Sequence, residues 1–318
     1  MSLEQIYLTI LIVVGALLVF AALGGVVALW IVSGMVFRHQ LVRGSKENWD
    51  HSCSDKTNYE QMTMWQRGQE WFKNQKGRVD QVETKSEGLS LKGQYIDYGY
   101  DRAVIIVPGR TESYEYSYYF APAFEKAKCN LLLIDVRGHG FSDGECEDCG
   151  YRNYVDLIEW SKFIHEKYKI DDITLFGICI GSNGCLNAIT SPSCPPYVKR
   201  MISDGMFSTF RESFKNHLIA LKRPVFLLLD FITLRARLSN KINICDGPVK
   251  RIKKMEKPIL MIYTKEDLFS TPKDAKKIFA NCPSKDKKIV FFDHGAHSHV
   301  RINAEEEYDK TIYDYLNN

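Results

Sequence analysis

The chain reads as an α/β protein: a mostly parallel sheet with helices on both faces, a small helical cap and one N-terminal transmembrane helix. Three observations predict this. Six apolar runs, Ala103–Val107, Leu131–Ile134, Ile173–Phe176, Arg200–Ser203, Ile259–Tyr263 and Lys288–Phe292, are separated by segments long enough for helices. That rhythm belongs to strands buried on both sides by their crossovers. Ahead of them, Val79–Thr84 and Leu89–Tyr98 alternate apolar and polar about Ser86-Glu87-Gly88, the pattern of an antiparallel hairpin. Finally, Ile6 to Phe37 holds no charged residue.

At 318 residues and 45% hydrophobic the chain can bury one large core, and nothing in its composition suggests disorder. A net charge of +3, with Lys and Arg spread among nearly as many acids, excludes an electrostatic case for nucleic acid. Nine cysteines, an odd number without framework spacing, favour a reducing compartment. The single pair Cys146-Glu-Asp-Cys149 has no partner pair at zinc spacing and reads as a surface loop.

The elements follow in order. Residues 1–43 form the anchor, whose uncharged run exceeds the roughly 20 residues a bilayer needs. A cleaved signal peptide does not fit, because Met1–Gln5 has no Lys or Arg and the apolar run is too long. Arg38, Arg43 and Lys46 follow the run, so the positive-inside rule places the rest of the chain in the cytoplasm. Residues 44–78, with Trp49, Trp65, Trp71 and Phe72 among charges and a helix over 58–74, read as a juxtamembrane arm packing on the main domain. Residues 79–318 are that domain. Its helices are expected at Tyr114–Lys126, Tyr151–Tyr168, Lys273–Ala280 and Ala304–Leu316. One connection, about 207–257, reads as the cap; its apolar Pro224–Leu234 is either a helix packing on the core or the lining of an acyl-chain site.

In such a sheet, chemistry gathers at the carboxyl ends of the strands. Thr174-Leu-Phe-Gly-Ile-Cys-Ile-Gly-Ser-Asn-Gly184 reads as strand, sharp turn and helix, with Gly177 and Gly181 flanking Cys179. This is the nucleophile-elbow spacing with sulfur in place of oxygen, and the helix N-terminus favours a thiolate. Val107-Pro-Gly109-Arg110 follows the first parallel run, and a glycine-bearing loop there can turn backbone N–H groups toward a substrate oxygen. Asp267 follows the fifth run and His297, in Gly295-Ala-His297-Ser-His299, the last. Nucleophile, acid, histidine is the chain order this architecture uses for a catalytic triad. His294, His297 and His299 lack carboxylate or cysteine ligands at zinc spacing, so no metal is expected, and no cofactor. Gly138-His-Gly140 departs from the dinucleotide spacing and reads as a strand-end turn.

From about Val79 onward the chain resembles an α/β-hydrolase. Within that superfamily it is similar to the membrane-anchored bacterial group related to serine aminopeptidase-like and prolyl-oligopeptidase-like hydrolases. The residues that carry the resemblance are Ile106-Val-Pro-Gly109-Arg-Thr-Glu-Ser113, Asp135-Val-Arg137-Gly138-His-Gly140-Phe-Ser142-Asp-Gly144, the elbow, Pro258-Ile-Leu-Met-Ile with Asp267 and Pro272, and Gly295-Ala-His297; the resemblance implies the backbone N–H groups of Arg110 and Ile180 as oxyanion donors. Two positions depart from the pattern. Pro108 stands where the family usually has histidine, and Cys179 replaces serine, as in dienelactone hydrolases, polyester synthases and bile-acid acyltransferases of the superfamily.

A Cys179–His297–Asp267 triad implies a covalent acyl-enzyme. A thiolate leaves as readily as it attacks, so it suits esters and thioesters better than amides. The expected activity is ester or thioester hydrolysis. Acyl transfer with the same triad, and a catalytically silent membrane-tethered binding protein, are the alternatives. The expected partners are a small-molecule or lipid acyl substrate and the membrane, without nucleic acid.

Overall fold

The computed structural model describes residues 2–43, 51–53, 55–75 and 77–317; Lys46 and Trp49 lie outside the described residues. Helix α1 (Leu3–Leu41) is followed by α2 (Tyr59–Lys73) and then by an eight-stranded sheet. Its strands are β1 (Val79–Ser86), β2 (Leu89–Ile96), β3 (Arg102–Val107), β4 (Asn130–Ile134), β5 (Asp172–Ile178), β6 (Val198–Asp204), β7 (Ile259–Thr264) and β8 (Lys287–Phe292). They lie in the order β1-β2-β4-β3-β5-β6-β7-β8, and β2 alone runs against its neighbours. The reversal at β4-β3-β5 makes β3 a central strand and opens a crevice at the carboxyl ends of β3 and β5.

Continuous apolar runs are required because both faces are covered. Ala103, Ile105 and Val107 of β3 pack with Trp160, Leu186 and Met261 on one side. Val104 and Ile106 pack with Phe120, Phe124 and Tyr308 on the other. The covering helices are α3 (Tyr114–Ser117), α4 (Ala121–Lys126), α5 (Tyr154–Tyr168), α6 (Ile180–Ile189), α7 (Phe210–Ala220), α8 (Leu228–Ser239), α9 (Pro248–Arg251), α10 (Pro272–Ala280), α11 (Val300–Asn303) and α12 (Glu305–Asn317).

Three expectations change. The helix expected over Tyr114–Lys126 is two, because Pro122 has no N–H to bond back to Tyr118 and the chain restarts at Phe120. Cys146–Cys149 is no plain surface loop: Glu147, Asp148 and Cys149 are buried, and Cys146 bridges to Val42 at the end of α1. In the cap, Pro224–Leu227 is a loop and only Leu228 onward is helical. Leu228, Leu229 and Ile232 join the apolar cluster that also holds Phe37 and Leu41 of α1, and none of them lines the cavity described below.

α2 packs on the segment after β3. Gly68 lets α2 approach the backbone of Tyr119, where an added Cβ would lie 2.9 Å from its nitrogen. Phe72 stacks on Tyr118 at 4.1 Å, and Trp71 Nε1 donates to Glu125 at 2.9 Å.

α1 is, among the described residues, the one helix long and apolar enough to cross a membrane. From Ile6 to Ala28 its residues are all exposed; from Leu29 onward it docks on α8. Phe124→Ala, removing a fully buried ring 4.9 Å from Phe176, should destabilise the detergent-solubilised full chain by about 3–5 kcal/mol. Tyr313→Ala, at an exposed position, should change it by less than about 0.5 kcal/mol in the same denaturant series.

Candidate active site

β5 ends at Ile178 and α6 starts at Ile180, leaving Cys179 as the whole turn at φ 52°, ψ −111°. A non-glycine residue in that region is strained by about 1–3 kcal/mol and persists only where surrounding packing enforces it. Here the packing is backbone against backbone. A Cβ on Gly177 would collide with the backbone of Gly181 and Ser182, and one on Gly181 with Val107 O and Pro108 O. Cys179 N–H donates to Asp204 O of β6 at 2.9 Å, which ties the turn to the neighbouring strand.

Two loops bring the other candidates to the sulfur. Asp267 sits just past β7, buried, with Oδ1 accepting the N–H groups of Phe269 and Ser270 at 2.7 and 2.8 Å. Its Oδ2 lies 2.7 Å from His297 Nδ1. His297 follows β8 in a loop held by Glu266, which accepts from Gly295 N–H at 3.1 Å, and by Thr264 Oγ1, which donates to Gly295 O at 2.6 Å. His297 Nε2 is buried with no hydrogen-bond partner in place. Burial works against a charged imidazole, but the Asp267 carboxylate and the Cys179 sulfur overcome it and hold the His297 pKa well above its ordinary value. An imidazole fixed at Nδ1 by a carboxylate leaves Nε2 for proton exchange with a neighbour.

Cys179, His297, Gly109, Arg110 and Glu112 line one cavity of about 510 Å³. The N–H groups of Arg110 and Ile180 donate to no acceptor among the described residues. The neighbouring amides are taken: Gly109 N–H by Glu112 Oε2 at 2.9 Å, Thr111 N–H by His139 Nε2 at 3.2 Å. Accepting at Nε2 leaves His139 its proton on Nδ1, 3.2 Å from Arg137 O, and burial keeps this ring neutral, its pKa pulled down to about 3. The Gly138-His-Gly140 turn thus holds the Gly109–Thr111 loop in place.

Several pocket residues were not singled out from the sequence. His39 and Gln40 come from the last turns of α1, Asn58 and Gln61 from the start of α2, and Phe210, Phe214 and His217 from one face of α7. Glu112 had a readable signal, since a carboxylate three residues after a glycine can reach back to its N–H. The three loop histidines take separate partners: His294 pairs with Glu266 at 3.1 Å, and His299 with Glu60 and Gln61 at 2.8 and 2.9 Å. Ser182 Oγ donates to Gly177 O at 2.6 Å, inside the elbow.

Burial pushes the Glu112 carboxyl up from 4.5 to about 7, against the pull of Gly109 N–H and Gln61. The folded protein therefore binds this proton more tightly than the unfolded chain. The resulting stabilisation is complete below pH 4.5 and lost as pH climbs through about 7. Glu112→Gln keeps an acceptor for Gly109 and removes the charge; it should stabilise the protein by up to roughly 3 kcal/mol at pH 8 and by almost nothing at pH 4 in paired denaturation curves.

A family model described as the alpha/beta hydrolase fold matches residues 102–228. Over 94% of this chain and 97% of its own length, the uncharacterized protein YqkD of Bacillus subtilis (strain 168) is 24% identical. Among solved structures, the esterase Pf2001 of Pyrococcus furiosus superposes with TM-score 0.65 at 20% identity, over 77% of this chain and 92% of its own. The alpha/beta hydrolase GrgF from Penicillium sp. sh18 superposes with TM-score 0.61 at 17% identity, over 75% and 97%. The strand order, the strand–elbow–helix unit and the matched segment agree, and the chain has the α/β-hydrolase fold.

Proposed function

We propose that this protein is a membrane-anchored hydrolase that cleaves an ester or thioester through a Cys179–His297–Asp267 triad and a covalent acyl-enzyme. The observation that carries the reading is the unpartnered Nε2 of an imidazole held at Nδ1 by Asp267, sharing one cavity with the strained Cys179 turn.

In the proposed reaction His297 Nε2 takes the proton of Cys179, and the sulfur attacks the substrate carbonyl carbon. The oxyanion lies against the N–H groups of Arg110 and Ile180, each donor contributing about 3 kcal/mol to the barrier reduction. Collapse breaks the ester or thioester bond, and the leaving alcohol or thiol takes the proton back from His297. Water, deprotonated by the same nitrogen, then attacks the thioester and releases the acid and the cysteine. Asp267 keeps the imidazole in the tautomer with Nδ1 protonated throughout. An amine leaving group competes poorly with the thiolate, so amides are disfavoured.

α1 supplies the anchor. Its exposed, uncharged stretch from Ile6 to Ala28 is roughly 34 Å long at 1.5 Å per residue, enough for a hydrocarbon core of about 30 Å. Arg38 and Arg43 follow it, which puts the catalytic domain on the cytoplasmic side.

A panel of p-nitrophenyl esters and acyl thioesters of increasing chain length tests the chemistry. Turnover should fall at least about a thousandfold in Cys179→Ala and about 10²–10⁴-fold in His297→Ala. Iodoacetamide should label Cys179 faster than a free thiol at neutral pH, and more slowly in His297→Ala. Unchanged turnover in Cys179→Ala, or labelling no faster than a free thiol, sinks the triad. Product diverted to an added alcohol or amine identifies acyl transfer instead of hydrolysis.

A further inference from the structure

The cap carries an apolar tip that the catalytic reading does not use. Between α7 and α8, Phe226 is 84% exposed, Ile219 and Leu221 each 55% and Leu227 41%. Lys222 and Arg223 stand among them and pair with no acid among the described residues. Exposed clusters of large apolar side chains with interspersed cations are costly in water and suit a lipid interface.

The packing of α8 on α1 says which way this tip points. Trp30 meets Phe231 edge-on at 6.4 Å, and Arg235 Nε donates to Ser33 Oγ at 3.1 Å. Asn240, just past α8, donates to Glu147 O, and Glu147 N–H donates to Leu41 O at the end of α1, so the two helices end together and run parallel. One helical turn before Phe231 therefore lies beside the turn before Trp30, where α1 becomes wholly exposed. The tip sits level with the end of the wholly exposed stretch Ile6–Ala28. Arg235 stacks 4.0 Å from the Trp30 ring and donates to Trp30 O at 2.6 Å, a pairing suited to the boundary between lipid and water.

The same tip is joined to the pocket. α7 starts at the cavity, with Phe210, Phe214 and His217 on its lining face, and ends at Ala220, the foot of the tip. From Phe214 to the end of the helix is roughly 9 Å at 1.5 Å per residue. His39 and Gln40, from the last turns of α1, form another wall.

We propose that the 219–227 tip is seated in the membrane that α1 crosses, and that the Cys179 cavity takes a membrane-resident amphiphile, a lipid ester or thioester whose chain arrives along α7. The proposal rests on the reading of α1 as a membrane span. Its partner is a bilayer with anionic headgroups, which complement Lys222 and Arg223.

The test uses the full chain in vesicles of phosphatidylcholine and phosphatidylglycerol. Carbonate extraction of the wild type decides the span by itself: release from the vesicles removes the anchor reading whatever the tip does. For the tip, Phe226→Trp and Tyr313→Trp are compared in vesicles whose acyl chains carry bromine. The tryptophan added at 226 should be quenched and the one added at 313 should not; equal quenching in a protein that resists extraction overturns the seating of the tip and leaves the anchor standing. For the substrate, Leu221→Glu with Phe226→Glu should lower kcat/KM on a vesicle-embedded long-chain thioester at least about tenfold, the scale of one lost buried apolar side chain. A soluble short-chain ester should change less than about twofold. An equal fall on both, or on neither, overturns the bilayer route.

Discussion

The close approach of β5 to α6 at Cys179 is the constraint on which the rest of the site depends. Gly177 and Gly181 leave no space for a side chain, so the strand and helix backbones touch and the turn between them is held at φ 52°. Gly181 also presses on Val107 O and Pro108 O, which sets the loop after β3 relative to the turn. Asp204 O takes the Cys179 N–H, and the next residue, Gly205, packs at 3.0 Å from the His297 ring as judged from an added Cβ. One tight contact thus fixes the sulfur against three loops. The strain of about 1–3 kcal/mol is offset by a sheet buried on both faces.

The parallel strands were legible because burial on both faces leaves short apolar runs that recur with helix-length segments between them. The candidate residues were legible for a related reason. Cys179, Asp267 and His297 each follow such a run directly, and the topology can only place those ends on one edge. The walls of the cavity were not legible. Gln61, Phe210 and His217 have the spacing of ordinary amphipathic helices, and which helix faces a pocket is set by tertiary packing. The cap shows this well: its apolar Pro224–Leu234 left a packing helix and an acyl-site lining both open, and in the structure α7 lines the cavity while the apolar residues of α8 join the cluster that holds the end of α1. Cys146–Cys149 misled in the opposite direction. Its acids looked solvent-facing, and they are buried because the segment closes over the end of α1.

The end of α1 is built into the domain. Phe37 and Leu41 are buried in the cap cluster, and each large apolar side chain so buried contributes about 1.5–3 kcal/mol. Glu147 N–H donates to Leu41 O at 2.9 Å and Arg43 N–H to Glu145 O at 2.8 Å, while the Arg43 guanidinium reaches the carbonyls of Ser142 and Gly140. The segment so gripped, 138–147, also carries His139, which receives the Thr111 N–H beside the proposed oxyanion donors. Arg110 itself reaches Gln40 O at 3.4 Å.

These contacts fix the cavity relative to α1, and so to a membrane if α1 crosses one as proposed. An anchor joined by a flexible segment would let the domain turn freely, and any orientation of the pocket would be an average. Here the helix proposed as the span also supplies part of the pocket wall, through His39 and Gln40, and is locked to the cap through Trp30, Ser33 and Phe37. The angle between the span and the mouth of the cavity is therefore a property of the packed core, costing several kcal/mol to change. An enzyme acting on soluble substrates has no physical need for that rigidity. The proposed draw of substrate from lipid would need it, because a sulfur that attacks there has to stay at a fixed depth from the surface where the acyl chain emerges.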